Sequence, residues 1–285
     1  MKKIISLFNR IILFILLLFF LSNSTHAKKN DLKEMNLKGN VKSLREKSAE
    51  SVEKFGKTQK GSIKEGVYVF ILFNKEGNKI EENRYTSDGK LFWKYKYKYD
   101  SNGNKIEENI YYSDRSLYRK YKYKYDSNGN KIEENIYYSD KRLHKKYTYK
   151  YDGKNNKIEC NLYNSDGSFD GKYKYRYDSK GNMIEENNYN SDGSIDRKYT
   201  YKHNSEGSII EENNYNYDGS LYRKYTYKYD SKGNIIEENW YNAYGGTEGK
   251  YTYEYEYDPK ENWLKCTGFK NDVSQTIKER KIEYF

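Results

Sequence analysis

Six glutamates, Glu82, Glu108, Glu134, Glu186, Glu212 and Glu238, fall on one 26-residue beat, and Cys160 and Cys266 occupy the same position in two further copies. Each stands among tyrosines. A carboxylate set between aromatic rings suits recognition of sugars or cations: the rings stack and the carboxylate accepts hydrogen bonds. The same arrangement also serves structure alone, with tyrosine hydroxyls satisfying a partly exposed carboxylate. Both readings stay open. On the first, the ligand-binding set is Tyr95, Tyr97, Glu108, Tyr121, Tyr123, Glu134, Tyr147, Tyr173, Glu186 and Tyr199.

Other chemistry finds little support. Downstream of residue 27 the only histidines are His144 and His203, both where other copies carry tyrosine. No phosphate loop, zinc spacing, serine elbow or Cys/His signature occurs. Adjacent glutamates such as Glu107 and Glu108 point to opposite faces of a strand, so they cannot form a glycosidase pair within one copy. The expectation is a non-enzymatic protein without metal or cofactor. Alternation sets most lysines opposite the tyrosines, whereas nucleic-acid binding needs both on one face; no nucleic-acid partner is expected. In a flat meander Cys160 and Cys266 stand about 38 Å apart, beyond disulfide reach, so pairing them requires the sheet to curl.

The elements that position these groups are hairpins. Ile80, Ile106, Ile132, Ile158, Ile184, Ile210 and Ile236 mark a 26-residue period, the sign of a stacked repeat architecture. Tyr95–Tyr99 alternates tyrosine with lysine, a strand period. Asp100-Ser101-Asn102-Gly103 is a turn, Lys105–Tyr112 the return strand, and Ser191-Asp192-Gly193-Ser194 the second kind of turn, read as a two-residue hairpin. Asp114-Arg115 and Asp140-Lys141 lack the glycine there. A four-residue loop at Asp100–Gly103 would set Tyr97 opposite Ile106 and Tyr95 opposite Glu108. The next hairpin sets Glu108 opposite Tyr121 and Ile106 opposite Tyr123. The other face then carries a charge ladder, with Glu107 between Lys96 and Lys122.

The ends differ from the repeat. Lys2, Lys3 and Arg10 precede and begin an apolar run, Ile11–Leu21, followed by Thr25 and Ala27 at cleavage-site spacing. Residues 1–27 therefore read as a secretory signal, the run being short for a bilayer span of about 20 residues. Their removal lowers the net charge from +11 by three, leaving interspersed charges that favour solubility. Residues 28–66 read as a lead-in, with a short helical turn or no element from Lys28 to Leu37, a first strand at Val41–Leu44 and a charged loop or frayed hairpin end from Glu50 to Glu65. Residues 67–258 read as the repeats, opened by the buried strand Val67–Phe73, and 259–285 as a capping hairpin. Mean hydropathy of −1.21 suggests disorder on bulk numbers. The 36 tyrosines and strict alternation argue instead for folded strands.

Tyr97-Lys98-Tyr99-Asp100-Ser101-Asn102-Gly103-Asn104, with Tyr123–Asn130, Tyr175–Asn182 and Tyr227–Asn234, resembles the YD (Tyr-Asp) repeat of RHS-type bacterial surface proteins. His203-Asn204 and Phe73-Asn74 depart from it. Leu37–Ser43, Asn262-Trp263-Leu264 and Glu279–Tyr284 look like the ends of small secreted YD-repeat proteins. The hairpin pattern is also similar to MORN-type repeats. The resemblance, over residues 37 to 285, implies a long sheet wound from hairpins, export, and surface contact, carbohydrate binding or toxin encapsulation. The Pro-rich junction and variable C-terminal toxin of large RHS proteins are not seen here. The expected fold is an all-β, antiparallel β-hairpin repeat array, a meander of about sixteen strands, twisted or spirally rolled. The expected role is an exported binding module that presents its tyrosine surface to a glycan or envelope protein in the periplasm or at the cell surface. The alternative is a structural or toxin-associated scaffold that self-associates edge to edge.

Overall fold

The local unit is a hairpin whose turn is tied by its aspartate. Asp100 N–H donates to Asn104 O and Gly103 N–H to Asp100 O, at 2.9 and 3.0 Å. Asp100 Oδ1 accepts from the backbone of Asn102 and Asn104, and Asn104 Nδ2 donates to Oδ2. Gly103 takes φ 84°, which a residue without Cβ adopts at no steric cost. The loop thus has three residues, not four. A one-residue bulge follows, because Tyr99 pairs with Lys105 but Lys98 with Glu107. Tyr97 therefore faces Glu108 and Tyr95 faces Ile110, a two-residue correction to the expected register. Ile106 is the extra residue and is 39% exposed, not set between Tyr97 and Tyr123. The Asp-Gly turns use the same three-residue loop, with Asn190 N–H to Ser194 O and Gly193 N–H to Asn190 O, rather than a two-residue one. The pairings of Glu108 with Tyr121 and Glu107 with Lys122 are as expected.

The computed structural model describes residues 30–54, 57–63 and 68–285; the secretory signal expected at 1–27 lies outside them. Among the described residues a short helix α1 (Asp31–Glu34) precedes nineteen strands. These begin β1 (Val41–Lys54), β2 (Lys57–Ile63), β3 (Tyr68–Phe73), β4 (Lys79–Tyr85), β5 (Leu91–Tyr99), β6 (Lys105–Tyr112) and β7 (Leu117–Tyr125). They continue β8 (Lys131–Tyr138), β9 (Leu143–Tyr151), β10 (Lys157–Asn164), β11 (Phe169–Tyr177), β12 (Met183–Asn190) and β13 (Ile195–His203). The last are β14 (Ile209–Tyr215), β15 (Leu221–Tyr229), β16 (Ile235–Asn242), β17 (Thr247–Tyr257), β18 (Trp263–Lys270) and β19 (Val273–Tyr284).

From β3 to β19 each strand pairs with the next, and β1 closes the series. Its Ser43–Glu46 pairs with Leu72–Val69 of β3, and its other edge, Val41–Glu50, pairs with β19. The result is a closed, antiparallel barrel of 18 strands, with β2 paired to the far half of β1. This overturns the open, twisted or spirally rolled meander. An array ending in free strands leaves two rows of unpaired backbone groups, and closure satisfies both. From Glu50 the chain continues β1 to Lys54 and pairs with β2, a hairpin end, one of the two expectations for this stretch.

Alternation along each strand separates two walls. The Lys–Glu face is outside: Lys98, Lys124, Lys202 and Lys228 are 67–68% exposed at their side chains. The tyrosine face is inside. Residues 30–38 pack on it across one end of the barrel, burying Leu32 and Leu37 against Val41, Leu44, Ile71 and Phe73. That segment bonds the rim in three places: Leu32 N–H to Gly77 O, Asn36 Nδ2 to Lys232 O, and Lys38 N–H to Asn262 Oδ1. Asp31 also accepts from Lys79 N–H and Tyr99 Oη.

Candidate binding lumen

The lumen wall is built from repeated tyrosine columns. The tyrosine that precedes each turn aspartate ties neighbouring hairpins together. Tyr125 Oη donates to Lys105 O at 2.7 Å, Tyr151 Oη to Lys131 O and Tyr177 Oη to Lys157 O. Tyr229 Oη reaches Ile209 O in the same way. In β17 the two-residue shift of the repeat gives this bond to Tyr255 Oη, on Ile235 O, while Tyr257, before Asp258, donates to Asp230. His203 takes this position in β13, where burial pulls its pKa down and Asp178 opposes the shift. Two residues earlier stand Tyr97, Tyr123 and Tyr149, whose hydroxyls reach Glu82, Glu108 and Glu134 at 3.3, 3.3 and 3.0 Å. Burial pushes all three phenols well up, so they remain neutral donors.

All ten residues of the candidate set lie on this inner face. Tyr95, Tyr97, Glu108, Tyr121, Tyr123, Glu134, Tyr147, Tyr173, Glu186 and Tyr199 run from β5 to β13. They form a continuous band rather than one pocket, and they are half-buried. Rings of about 16 to 18 strands are wide enough to leave an aqueous channel when round. Here residues Leu32 to Asn36 link the Gly77 and Lys232 turns, six strands apart, so the section is flattened at that end. Cys160 and Cys266 are free and buried in this wall, on β10 and β18, eight strands apart around the ring.

The sequence reading missed the lysines. The bulge after each Tyr-Asp turn puts the first residue of the return strand on the same side as the glutamate three positions on. Lys79, Lys105 and Lys131 therefore point inward and pair with Glu82, Glu108 and Glu134 at 3.3, 3.4 and 2.6 Å. Their ammonium groups lie over rings, Lys105 over Tyr97 and Lys131 over Tyr123 and Tyr149. A strict two-residue alternation places them outside, and only the bulge corrects it.

Around the ring this column changes type. Lys157 faces Cys160, and beyond it Met183, Ile209 and Ile235 stand before Glu186, Glu212 and Glu238. Burial without a neighbouring lysine raises Glu212 to about 7, with Glu186 and Glu238 adding to it and the Asn214 amide opposing. Glu238 is 1% exposed and is also raised by burial to about 7, although Trp240 Nε1 donates to it at 2.5 Å and Tyr253 Oη at 3.4 Å. Burial raises Glu186 as well, against the pull of Lys157. Half of the lumen is thus lined by ion pairs and half by protonatable carboxyls.

The outer wall is a charge ladder. Glu107 takes Lys98 at 3.2 Å, Lys120 at 2.7 Å and the Asn109 amide at 2.7 Å. Burial opposes its ionisation, but these donors win and hold it at about 2. Glu133, bonded by Lys124 and Lys146, and Glu211, bonded by Lys202 and Lys224, repeat the arrangement. Among the described residues no cluster of His, Cys, Asp and Glu is placed to hold a metal, and no helix is long and apolar enough to cross a membrane.

No family model matches the chain, and no curated protein matches it. Among solved structures it is similar to a porin-like protein from Bacteroides uniformis, with 12% identity and a TM-score of 0.43 over 85% of this chain and 96% of that one. It is also similar to a Photorhabdus luminescens Tc holotoxin pore, at 11% identity and a TM-score of 0.34 over 81% of this chain. A TcdB2-TccC3 crystal structure gives 11% identity and a TM-score of 0.30 over 81% of this chain. The chain spans 14% and 16% of those two toxin chains.

Proposed function

We infer that this protein is an exported, non-enzymatic barrel of the bacterial envelope whose lumen receives a hydroxyl-rich ligand, a glycan chain. The observation that carries the reading is the inward position of the tyrosine columns in a closed wall. Half-buried rings with neutral hydroxyls alternate there with carboxylates and lysines. Rings offer flat apolar surface and the polar groups fix hydroxyl orientation. The outer ladders argue for water around the barrel. At a bilayer midplane an outward lysine costs about 2–4 kcal/mol, and this wall carries one or more in most repeats. Closure also weighs against edge-to-edge assembly, because every strand of the ring has neighbours on both sides.

The test uses the secreted form, from residue 28 onward, on an array of bacterial and plant glycans. Expected are defined glycan hits for the wild type. The Tyr123→Ala, Tyr149→Ala, Tyr175→Ala triple variant should lose them by about tenfold or more while keeping its far-ultraviolet circular dichroism. Hits that survive in a folded triple variant, or no hits at all, would sink the lumen reading.

A further inference from the structure

The two turns that break the Asp-Gly rule lie side by side at one mouth of the barrel, and the surrounding residues change with them. Where other copies place an asparagine before the turn (Asn164, Asn190, Asn216, Asn242), these place Tyr112 and Tyr138. Segment 112–119 holds one acid and two bases, and 138–145 one acid and three bases. The equivalent 164–171 holds two acids and no base, and 190–197 two acids and one base. Arg115 and Lys141 replace the turn glycine although φ there is 69° and 70°, a conformation that disfavours any side chain. The substitution is held at a local cost in both copies.

The aromatic residues form a connected lip. Trp93 pairs with and stacks on Tyr112 at 5.0 Å, and Tyr118 contacts both at 4.8 and 5.1 Å. Arg119, which pairs with Tyr138 on the next strand, lies over Tyr118 and Tyr138 at 5.1 and 5.9 Å. Tyr138 then meets His144 at 4.5 Å. Two of these rings remain open to water, Tyr112 at 42% and Tyr138 at 38%. Arg119 Nε is buried and has no hydrogen-bond partner. Residues 30–38, which cross the barrel, do so at the opposite end, on the Tyr-Asp turns.

We propose that this aromatic and basic lip of β5–β9 is the entry site of the lumen and selects an anionic polysaccharide, one bearing sugar carboxylates. The inference rests on the glycan reading above and adds the charge of the ligand and the place where it first binds. Exposed rings take the sugar faces. Arg115, Arg119 and Lys141 take the carboxylates, the guanidinium by paired N–H donors. Charge complementarity chooses this lip over the acid-bearing turns beside it.

The experiment compares sodium polygalacturonate with its methyl ester, which keeps the sugar backbone and removes the charge. Binding is measured by calorimetry at low and high salt. Expected is a preference of about tenfold or more for the acid form that shrinks as salt rises. The Arg115→Gly, Lys141→Gly variant restores the glycine of the sister turns, and with its circular dichroism unchanged it should lose that preference. Arg119→Gln and Tyr138→Ala should weaken the acid form as well. Equal binding of acid and ester by the wild type overturns the lip proposal and leaves the glycan reading standing. Binding of neither polymer, an unchanged acid preference in the double glycine variant, or tighter binding of single-stranded DNA than of the polyuronate also overturns it.

Discussion

Glu212 and Glu238 set the pH response of the lumen. Each binds its proton more tightly when folded, at about 7, than at the ordinary 4.5. Their contribution to stability is therefore fully present below 4.5, declines as pH rises towards 7 and is gone above it, by up to about 3 kcal/mol per group. The outer glutamates act in the opposite window. Glu107, Glu133 and Glu211, held at about 2, contribute above 4.5 and lose that contribution as pH falls towards 2. Glu212→Gln with Glu238→Gln should raise the melting temperature at pH 8, leave it nearly unchanged at pH 5, and flatten the slope between. Melting curves at several pH values check this, and a variant as pH-dependent as the wild type would show that these carboxyls ionise freely. That six glutamates share one face with tyrosines was legible from alternation. That half of them lack a lysine was not, because the lysine column enters the lumen only through the bulge.

At the level of the hairpin, the turn residue at positive φ decides local stability. Gly129 sits at φ 80° with space around it, the nearest atom to an added Cβ being Asn104 Oδ1 at 3.6 Å. Gly129→Ala should therefore cost about 1 kcal/mol, from backbone strain alone. Arg115→Gly should do the reverse, gaining up to about 1 kcal/mol less the added freedom of the unfolded chain. Urea titrations of the single variants test both signs. A loss on Arg115→Gly would mean that its side chain, not its backbone, governs the turn. The strands, the 26-residue period and both turn positions were legible because tyrosine alternation and Asp-Gly punctuation are local signals. The loop length was misread by one residue at Asp100–Gly103. A four-residue loop and a three-residue loop followed by a bulge place the same tyrosines on the same face, so facial pattern could not separate them. They differ at Ile106 and Lys105, which exchange sides.

For the whole molecule, closure depends on β1, and closure was the feature the sequence concealed. Val41–Lys54 is rich in Lys, Glu and Ser, and only Val41–Leu44 has the pattern of a strand. Its two partners, β3 and β19, lie near opposite ends of the chain, and no local signal reports a pairing over such a distance. The seam is well made all the same: Leu44 is 1% exposed, Ser43 Oγ donates to Glu283 Oε2 at 2.9 Å, and Arg280 Nε to Glu46 Oε2 at 2.8 Å. Ala49 pairs directly with Ile277 across it, and both are buried. Directly paired antiparallel residues have Cα atoms about 4.5–5.5 Å apart, within disulfide range. Ala49→Cys with Ile277→Cys, in a Cys160→Ser, Cys266→Ser background, should therefore form an intramolecular bridge under mild oxidation, seen as a single linked peptide by non-reducing mass mapping. In an open or spirally rolled array the same two residues would sit far apart and remain thiols. The wild-type cysteines make the complementary case. Eight strands apart on a ring of 18, Cys160 and Cys266 stand near opposite walls and should stay reduced under conditions that link the seam. A linked Cys160–Cys266 pair with an unlinked seam would reverse the assignment of closure.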